Sequence, residues 1–373
     1  MKKNLILIAM LFFCVEQSYS AVSSRPATPV IYTADLFHPY ADPDDHWDIA
    51  TIYALAEQNI IDLRGICLNW PYEAIWQKYM NASLGDPAIM SVAQMDFITG
   101  RTTLCGIGSG KELKSADDPQ SDCSSNGINL IIDTLKRSER KVVIYIVGST
   151  RDVAIAANRE PDLFAQKCAA IYLVAGSSDG KGDEWNVILD RKAFISIFQI
   201  PCPVYWMPCI AAGDKDNKPV RGEYDCWYKF NQHEILPALS SKMQNFFTFA
   251  LNARSDVPGS AANYQWLRSI TAEPNKQDVA KYGEQERGMW STPAFLHCAE
   301  KTVTREGEIV DIGKDVNDAV FTFKPVKINI KPDGAIGWSF TNEPTRHYII
   351  HKDEKHYDSA MTKALKKLLV SLP

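Results

Sequence analysis

Apolar and polar positions alternate along this chain with two different spacings. Short apolar runs of six to nine residues alternate with segments whose apolar positions recur every three to four residues. The first pattern predicts buried strands and the second predicts amphipathic helices. The predicted strands are residues 29–34, 60–68, 142–147, 169–175 and 202–208. The predicted helices are residues 47–58, 72–80, 127–136, 151–158 and 191–198.

This order of elements predicts the fold class. Strands that alternate with helices form a parallel sheet with helices on both faces, so we expect a single-domain α/β fold. Its centre is a Rossmann-like, mostly parallel sheet flanked by helices. Beyond it, the pattern predicts a long helix over 232–251, strands over 321–330 and 335–341, and a terminal amphipathic helix. No shift in composition marks a domain boundary, so residues 21–373 are predicted to form one domain.

The first residues predict a signal peptide rather than part of the fold. Lys2 and Lys3 precede an apolar run over 5–15, and small residues follow at Ser18 and Ser20. This order is typical of secretory signals, so we expect cleavage near Ser20 and removal of residues 1–20. The apolar run is too short for a membrane anchor. The protein is therefore predicted to be secreted or periplasmic.

Charge restricts the class of partner. The formal net charge is −5, and no block of lysine and arginine interrupts the chain. Nucleic-acid polymers and anionic membranes both select basic surfaces, so neither is expected as a partner. No later apolar stretch is long enough to span a membrane. A small molecule is the expected ligand, and a homo-oligomer remains open.

Nine cysteines are present, of which eight follow the predicted signal peptide. An even number in an exported chain permits disulfides. Three cysteines lie in or beside strand-like runs, where a free thiol serves as a small apolar group: Cys67, Cys168 and Cys202. The candidate bridges are Cys105 with Cys123 and Cys209 with Cys226. The sequence Cys-x-x-Cys does not occur, so zinc and thioredoxin-like chemistry have no support.

The strongest chemical signal is a cluster of aspartates after the first predicted strand. The segment Asp42-Pro43-Asp44-Asp45-His46-Trp47-Asp48, with Asp35 upstream, carries five carboxylates within fourteen residues. One or two of them suit a helix N-terminus, where the helix dipole favours negative charge. The rest repel one another unless a cation intervenes, and calcium prefers such oxygen ligands. The cluster also lies where parallel sheets bind ligands, at the carboxyl ends of strands.

These motifs together resemble a known family. The strand–aspartate loop–helix order resembles the acidic fingerprint of inosine–uridine-preferring nucleoside hydrolases. Residues 147–154 resemble the family's Gly-Pro-Leu-Thr-Asn-x-Ala turn. Gly176, with Glu184-Trp185-Asn186 and Asp190, resembles its Gly-Gly … Glu-Phe-Asn … Asp block, and the closing strands and helix match its ending. The resemblance spans about residues 29–371 and implies a divergent, exported nucleoside hydrolase.

The resemblance also implies roles for single residues. It implies calcium-dependent hydrolysis of the N-glycosidic bond of ribonucleosides, or of a related ribosyl substrate, giving ribose and free base. Asp42 matches the general base, which also contacts calcium. The implied substrate contacts are Asp44, Asn69, Glu184 and Asn186. The implied calcium ligands are Asp42, Asp45, the backbone carbonyl of Arg151, and Thr292.

One departure from the family keeps alternatives open. The family's late His-Asp-Pro motif stands here as Ser291-Thr292-Pro293, which lacks an acid and a carboxylate ligand. His297 follows six residues later, but a lone histidine in an apolar segment is more often a core residue. The first alternative is therefore a non-catalytic nucleoside- or sugar-binding protein that keeps the fold. The second is a hydrolase that acts on another glycosidic substrate.

Overall fold

A nine-stranded sheet forms the centre of the computed structural model, which describes residues 26–36, 43–70, 89–210, 226–252, 270, 272–313, 316–342 and 345–373. The strand order is β12-β11-β13-β6-β5-β4-β1-β2-β3. The seven strands from β13 to β3 run parallel, whereas β11 is antiparallel to both of its neighbours. The strands are β1 (Thr28–Ala34), β2 (Ile61–Leu68), β3 (Cys105–Ile107), β4 (Val142–Ile146), β5 (Cys168–Val174), β6 (Val204–Met207), β11 (Phe321–Ile330), β12 (Ile336–Phe340) and β13 (Arg346–His351).

Two short ribbons and the helices complete the described structure. The ribbons pair β7 (Tyr228–Asn231) with β8 (Glu286–Met289), and β9 (Lys301–Val303) with β10 (Ile309–Asp311). The helices are α1 (Pro43–Glu57), α2 (Ile89–Thr99), α3 (Asn126–Arg137), α4 (Arg151–Arg159), α5 (Pro161–Lys167), α6 (Trp185–Ile188), α7 (Arg191–Ile197), α8 (Ser241–Leu251), α9 (Lys276–Gly283), α10 (Thr292–Cys298) and α11 (Glu354–Val370).

The sequence pattern explains the central strands and their covering helices. Strand β4 is buried at every position, which is why its sequence is apolar without alternation. Helix α3 buries Ile128, Ile131, Ile132 and Leu135, a spacing that places four apolar side chains on one face. Its N-terminus is fixed because the Ser125 side chain accepts a hydrogen bond from the backbone amide of Ile128.

Helix α1 is enclosed rather than amphipathic. All of its residues from Asp45 to Ala56 are buried. The Trp47 ring stacks on Phe247 of α8 with 4.1 Å between ring centroids, and its Nε1 donates to Gln232 at 3.1 Å. These contacts of Trp47 hold the first turns of α1 in a fixed position.

Most predicted elements of the first two-thirds are observed, and the differences have local causes. Helix α1 begins at Pro43 rather than at residue 47, because proline suits the first helical position. The predicted helix over 232–251 is broken: two short 3₁₀ turns precede α8. Pro237 lacks an amide hydrogen, and Ser240 caps a new helix by accepting from the amide of Met243. The predicted helix over 72–80 lies outside the described residues.

The sequence pattern does not predict β3, α2 or β13, among other elements. Strand β3 has only three residues, too few for a periodic pattern. Strand β13 inserts between β6 and β11, so the chain returns to the parallel sheet after the β11–β12 hairpin. The predicted signal peptide lies outside the described residues. No helix in the described ranges is long and apolar enough to cross a membrane.

The eight described cysteines form no disulfide, so neither candidate bridge is present. The Cys123 thiol donates to the Ser109 hydroxyl at 3.4 Å instead of meeting Cys105. The Cys226 thiol donates to the carbonyl of Pro208 at 2.8 Å.

Candidate active site

Polar side chains gather at the carboxyl ends of the central strands, as expected for a parallel sheet. Asp35 directly follows β1, and Asn69 directly follows β2. Gly148 stands two residues beyond β4, and Gly176 two residues beyond β5. Because β1 lies between β2 and β4 in the sheet, the segments that follow these strands meet at one edge.

A cavity of about 100 Å³ opens at this edge. Four acidic residues contribute to its wall: Asp35, Asp44, Asp45 and Glu184. The other lining residues are two tryptophans, two polar residues and three apolar ones: Trp185, Trp290, Asn186, Ser291, Val147, Val174 and Cys209. Carboxylates beside aromatic rings suit a ligand with both hydroxyl groups and a flat apolar part.

Asp35 is held at the inner side of this cavity by two neighbours. The residue is 5% exposed, and its Oδ2 accepts a hydrogen bond from Nε1 of Trp185 at 3.2 Å. Gly148 makes room for the other oxygen. A Cβ atom on Gly148 would lie 2.4 Å from Oδ1 of Asp35 and 2.7 Å from Oδ1 of Asn69. Only glycine therefore allows these two oxygens to approach the backbone here.

Helix α1 supplies further negative charge. Asp44 and Asp45 occupy its first turn, and Asp48 lies one turn later with 1% of its surface exposed. Burial raises the pKa of Tyr32 well above its usual range, and the negative charges of Asp48 and Asp45 raise it further. Tyr32 therefore lies within the electrostatic influence of this acidic cluster.

The oxygen-rich donors of this cluster fit a hard cation such as calcium. Within the described ranges, no three histidine, cysteine, aspartate or glutamate side chains are grouped closely enough to hold a metal ion. Asp42, the residue predicted to be both base and ligand, lies outside the described residues. Asp35, Asp44 and Asp45 therefore supply the oxygen chemistry that calcium prefers, but by themselves they do not form a metal site.

Glu184 and Asn186 are tied to their own loop while they line the cavity. The Glu184 carboxylate accepts from the backbone amides of Gly176 at 2.6 Å, Asn186 at 3.0 Å and Val187 at 3.2 Å. Burial raises the pKa of Glu184 to about 6, against the lowering effect of these bonds. Asn186 donates from Nδ2 to the carbonyl of Val174 at 3.0 Å. Glu184 thus caps helix α6 and fixes the cavity wall.

The Arg151 side chain connects neighbouring loops through hydrogen bonds. It is 1% exposed, and its guanidinium donates to the carboxylate of Asp190 at 3.1 Å. It also donates to the carbonyls of Ser109 at 2.9 Å and Leu189 at 2.5 Å. A buried pair of this kind is stable only because each charge is matched and hydrogen-bonded.

The segment from Ser291 to His297 lies partly at the cavity and partly in the core. Ser291 lines the cavity, whereas the Thr292 hydroxyl is fully buried and lies 2.7 Å from the hydroxyl of Tyr228. His297 packs among aromatic rings, with its Nδ1 2.7 Å from the Tyr172 hydroxyl. Burial lowers the pKa of His297 to about 4, so it is neutral at pH 7. His297 is not among the cavity-lining residues, in agreement with the expectation of a core histidine.

Of the residues predicted from sequence, the structure brings Asp44, Asp45, Glu184 and Asn186 to the cavity wall. Asn69, Arg151 and Thr292 are buried and are not among the lining residues. The sequence pattern placed Asp35 in the predicted aspartate cluster but gave it no individual role, although it directly follows a buried strand. It also gave none to Asp152, which lies in the first turn of α4 and there resembles an ordinary response to the helix dipole.

Comparison with known proteins defines the fold. No protein-family model and no curated protein matches the sequence of this chain. Solved structures do match. The chain is similar to a purine-preferring ribonucleoside hydrolase from Gardnerella vaginalis, with 12% identity and a TM-score of 0.54 over 92% of this chain and 99% of the other. The predicted nucleoside hydrolase fold is therefore confirmed.

Two effector proteins share this fold. The effector protein XOO4466 matches with 10% identity and a TM-score of 0.53, over 93% of this chain and 95% of that one. The type III effector protein XopQ, solved in complex with adenosine diphosphate ribose, matches with 10% identity and a TM-score of 0.51. That match covers 93% of this chain and 94% of XopQ.

Proposed function

We propose that this protein hydrolyses the N-glycosidic bond of ribonucleosides, or of a closely related ribosyl substrate. One observation carries the proposal: Asp35, Asp44 and Asp45 converge with Trp185 and other side chains on one cavity at the carboxyl edge of the sheet. The fold that presents them is shared with a ribonucleoside hydrolase. Carboxylates at this position suit the hydroxyls of a ribose, and the tryptophan rings suit the face of a nucleobase.

The reaction needs a base that takes a proton from water as that water attacks the anomeric carbon. Asp42 is the base predicted from sequence, and the described geometry favours Asp35 as the second candidate. Asp35 lines the cavity, and its carboxylate is held in one orientation by Trp185. Positive charge develops on the sugar during bond cleavage, and the nearby carboxylates stabilise it electrostatically.

Calcium fits this proposal as the metal that the aspartate cluster would hold. Its ligands would be Asp42, Asp45 and the carbonyl of Arg151, with Asp35 on the same cavity wall as Asp45. Thr292 is the fourth ligand predicted from sequence, but its hydroxyl lies against Tyr228. Bound there, calcium would supply positive charge that lowers the pKa of the attacking water. The chain's own carboxylates orient the ribose and receive the proton.

A second candidate function is binding without hydrolysis. Two observations favour it: Ser291 and Thr292 bring no carboxylate to the site, and the Thr292 hydroxyl contacts Tyr228 instead. The related fold of XopQ holds adenosine diphosphate ribose in its solved complex. A ribosyl ligand held by the same aspartates would then remain intact.

The test is release of base from inosine, uridine and a nitrophenyl riboside in the presence of calcium. Asp35→Asn and Asp42→Asn are compared with Asp133→Asn, an exposed carboxylate on α3. We expect one of the first two variants to lose at least ~100-fold in kcat, the low end for loss of a general base. Circular dichroism should show an unchanged fold. Wild-type protein that binds ribose but releases no base would support the binding function instead.

A further inference from the structure

Asp152 is a buried carboxylate behind the candidate site. It lies in the first turn of α4, is 1% exposed, and is not among the lining residues of the cavity. Its Oδ1 accepts from the backbone amide of Ser109 at 2.7 Å, and its Oδ2 accepts from Nδ2 of Asn69 at 2.8 Å. A Cβ on Gly108 would lie within 2.3 Å of all three carboxyl atoms, so Gly108 is needed for this close approach.

The hydrogen-bonding chemistry of Asp152 determines the orientation of the Asn69 side-chain amide. Both oxygens of Asp152 accept hydrogen bonds, Oδ1 from the Ser109 amide and Oδ2 from Asn69, so Asn69 presents its NH₂ group to the carboxyl. The planar amide then turns its carbonyl oxygen away from Asp152. That oxygen is buried and has no hydrogen-bond partner among the described residues. It lies against Gly148, on the same side of the backbone as Oδ1 of Asp35.

An acceptor oxygen of this kind attracts either a donor group or a cation. A reversed Asn69 amide would turn its NH₂ group toward Asp35 and would occupy the carboxylate itself. With the orientation that Asp152 imposes, the Asn69 side chain turns an acceptor, not a donor, toward Asp35. The Asn69 carbonyl oxygen then stands as a buried acceptor near Asp35, and the Asn69 NH₂ group stays turned away from the Asp35 carboxylate on the cavity wall.

We propose that Asp152 is a positioning residue that orients the Asn69 amide so that its carbonyl oxygen, not its NH₂ group, stands beside Asp35. This inference rests on the proposed function insofar as the ligand is a ribose or ribosyl compound. Asp152 does not touch the ligand and acts through Asn69. The competing explanation is that Asp152 only ties the Ser109 loop to α4.

The variant Asp152→Asn separates these explanations because it changes one oxygen to an NH₂ group. The amide of Ser109 still needs an acceptor, so the new carbonyl faces Ser109 and the new NH₂ group faces Asn69. Asn69 must then reverse, which turns a donor toward Asp35. The double variant Asp152→Asn with Asn69→Asp restores the original pattern at the same net charge. In the double variant, the new carboxylate that replaces Asn69 accepts a hydrogen bond from the new amide that replaces Asp152. Its other oxygen then lies beside Asp35, where the Asn69 carbonyl oxygen lies in the wild type.

The first measurement is binding of D-ribose by calorimetry, together with KM for inosine. We expect Asp152→Asn to weaken ribose binding about 10-fold, equivalent to the loss of one favourable hydrogen bond. The double variant should recover to within about 3-fold of wild type. Asp190→Asn, which alters the other buried carboxylate of these loops, serves as the control for loop damage and should not be rescued by Asn69→Asp.

The second measurement reads the amide directly and needs no ligand. Crystal structures of wild type and Asp152→Asn at about 1.2 Å or better distinguish the amide oxygen from its nitrogen. A wild-type orientation of Asn69 in Asp152→Asn, or a double variant that stays as weak as the single one, would overturn the proposal. If wild-type protein binds no ribose, the proposed function fails, and the amide orientation still decides the role of Asp152.

Discussion

The indole nitrogen of Trp185 donates a hydrogen bond to Oδ2 of Asp35 at 3.2 Å, which joins two residues 150 positions apart in the chain. Asp35 ends the first strand, and Trp185 begins the short helix α6 after β5. The bond fixes the carboxylate and holds the tryptophan ring against the cavity. One contact thus couples an acidic residue of the cavity wall to the tryptophan beside it.

We expect Trp185→Phe to lower kcat for nucleoside hydrolysis by about 10-fold or more. The phenyl ring keeps the apolar wall but removes a hydrogen bond to a charged group, which contributes about 1.5–3 kcal/mol. Trp290→Phe is the matched control, because its Nε1 donates to the carbonyl of Cys209 rather than to a carboxylate. Steady-state kinetics on inosine compare the two. Equal losses in both variants would show that the Asp35 bond has no special part.

Calcium binding should depend on Asp45. The carboxylates around the first turn of α1 repel one another without a cation, so removal of one charge lowers the affinity for calcium. Calorimetric titration should show one site in wild type that weakens sharply in Asp45→Asn and is unchanged in Asp133→Asn. Absence of binding to wild type at about millimolar calcium, the weak end for extracellular sites, would contradict the proposal.

Substitutions at Ser291 and Thr292 test which of these two residues faces the proposed calcium site. Ser291 lines the cavity, so Ser291→Asp should add a ligand charge and tighten calcium binding. If Thr292 were the calcium ligand that the family resemblance implies, Thr292→Asp would have the same effect, but its hydroxyl lies in the core against Tyr228. We therefore expect Thr292→Asp to lower the melting temperature, because it buries an unpaired charge.

Titration of both variants with calcium, and their thermal melting, distinguish the two positions. Tighter calcium binding in Thr292→Asp with an unchanged melting temperature would mean that Thr292 faces the metal. Unchanged affinity in both variants would place the whole segment away from it.

Glu184 should make stability depend on pH. Burial raises its pKa from the ordinary 4.5 to about 6, so the folded state holds this proton more tightly than the unfolded state does. The resulting stabilisation is complete below about pH 4.5 and is lost as the pH rises through about 6. The difference between the two pKa values corresponds to about 2 kcal/mol.

Glu184→Gln removes this titration. We expect the free energy of unfolding of wild type, measured relative to Glu184→Gln by urea titration, to fall by about 2 kcal/mol between pH 4 and 7. Glu139→Gln changes an exposed carboxylate and should show no such trend. A difference between wild type and Glu184→Gln that stays constant over this range would mean that Glu184 titrates normally.

The apolar pattern alone predicts the fold, and it places the aspartate cluster at the carboxyl ends of the strands. Continuous apolar runs such as β4 have one stable solution, a strand buried on both faces, and their alternation with helices requires parallel crossovers. The function of the aspartates after the first strand could be predicted from the sequence for a related reason. Several charges of one sign at the end of a buried strand indicate a site that binds a ligand or a cation.

Tertiary structure decided which polar atoms meet. Trp185 and Asp35, or Asp152 and Asn69, are far apart in the chain, and no local pattern specifies their contact. The same holds for Thr292, whose neighbour Tyr228 comes from a separate ribbon. Periodicity reports burial, which is a property of one position and its near neighbours. A hydrogen bond between distant residues depends on strand order and helix placement, so only the folded chain determines it.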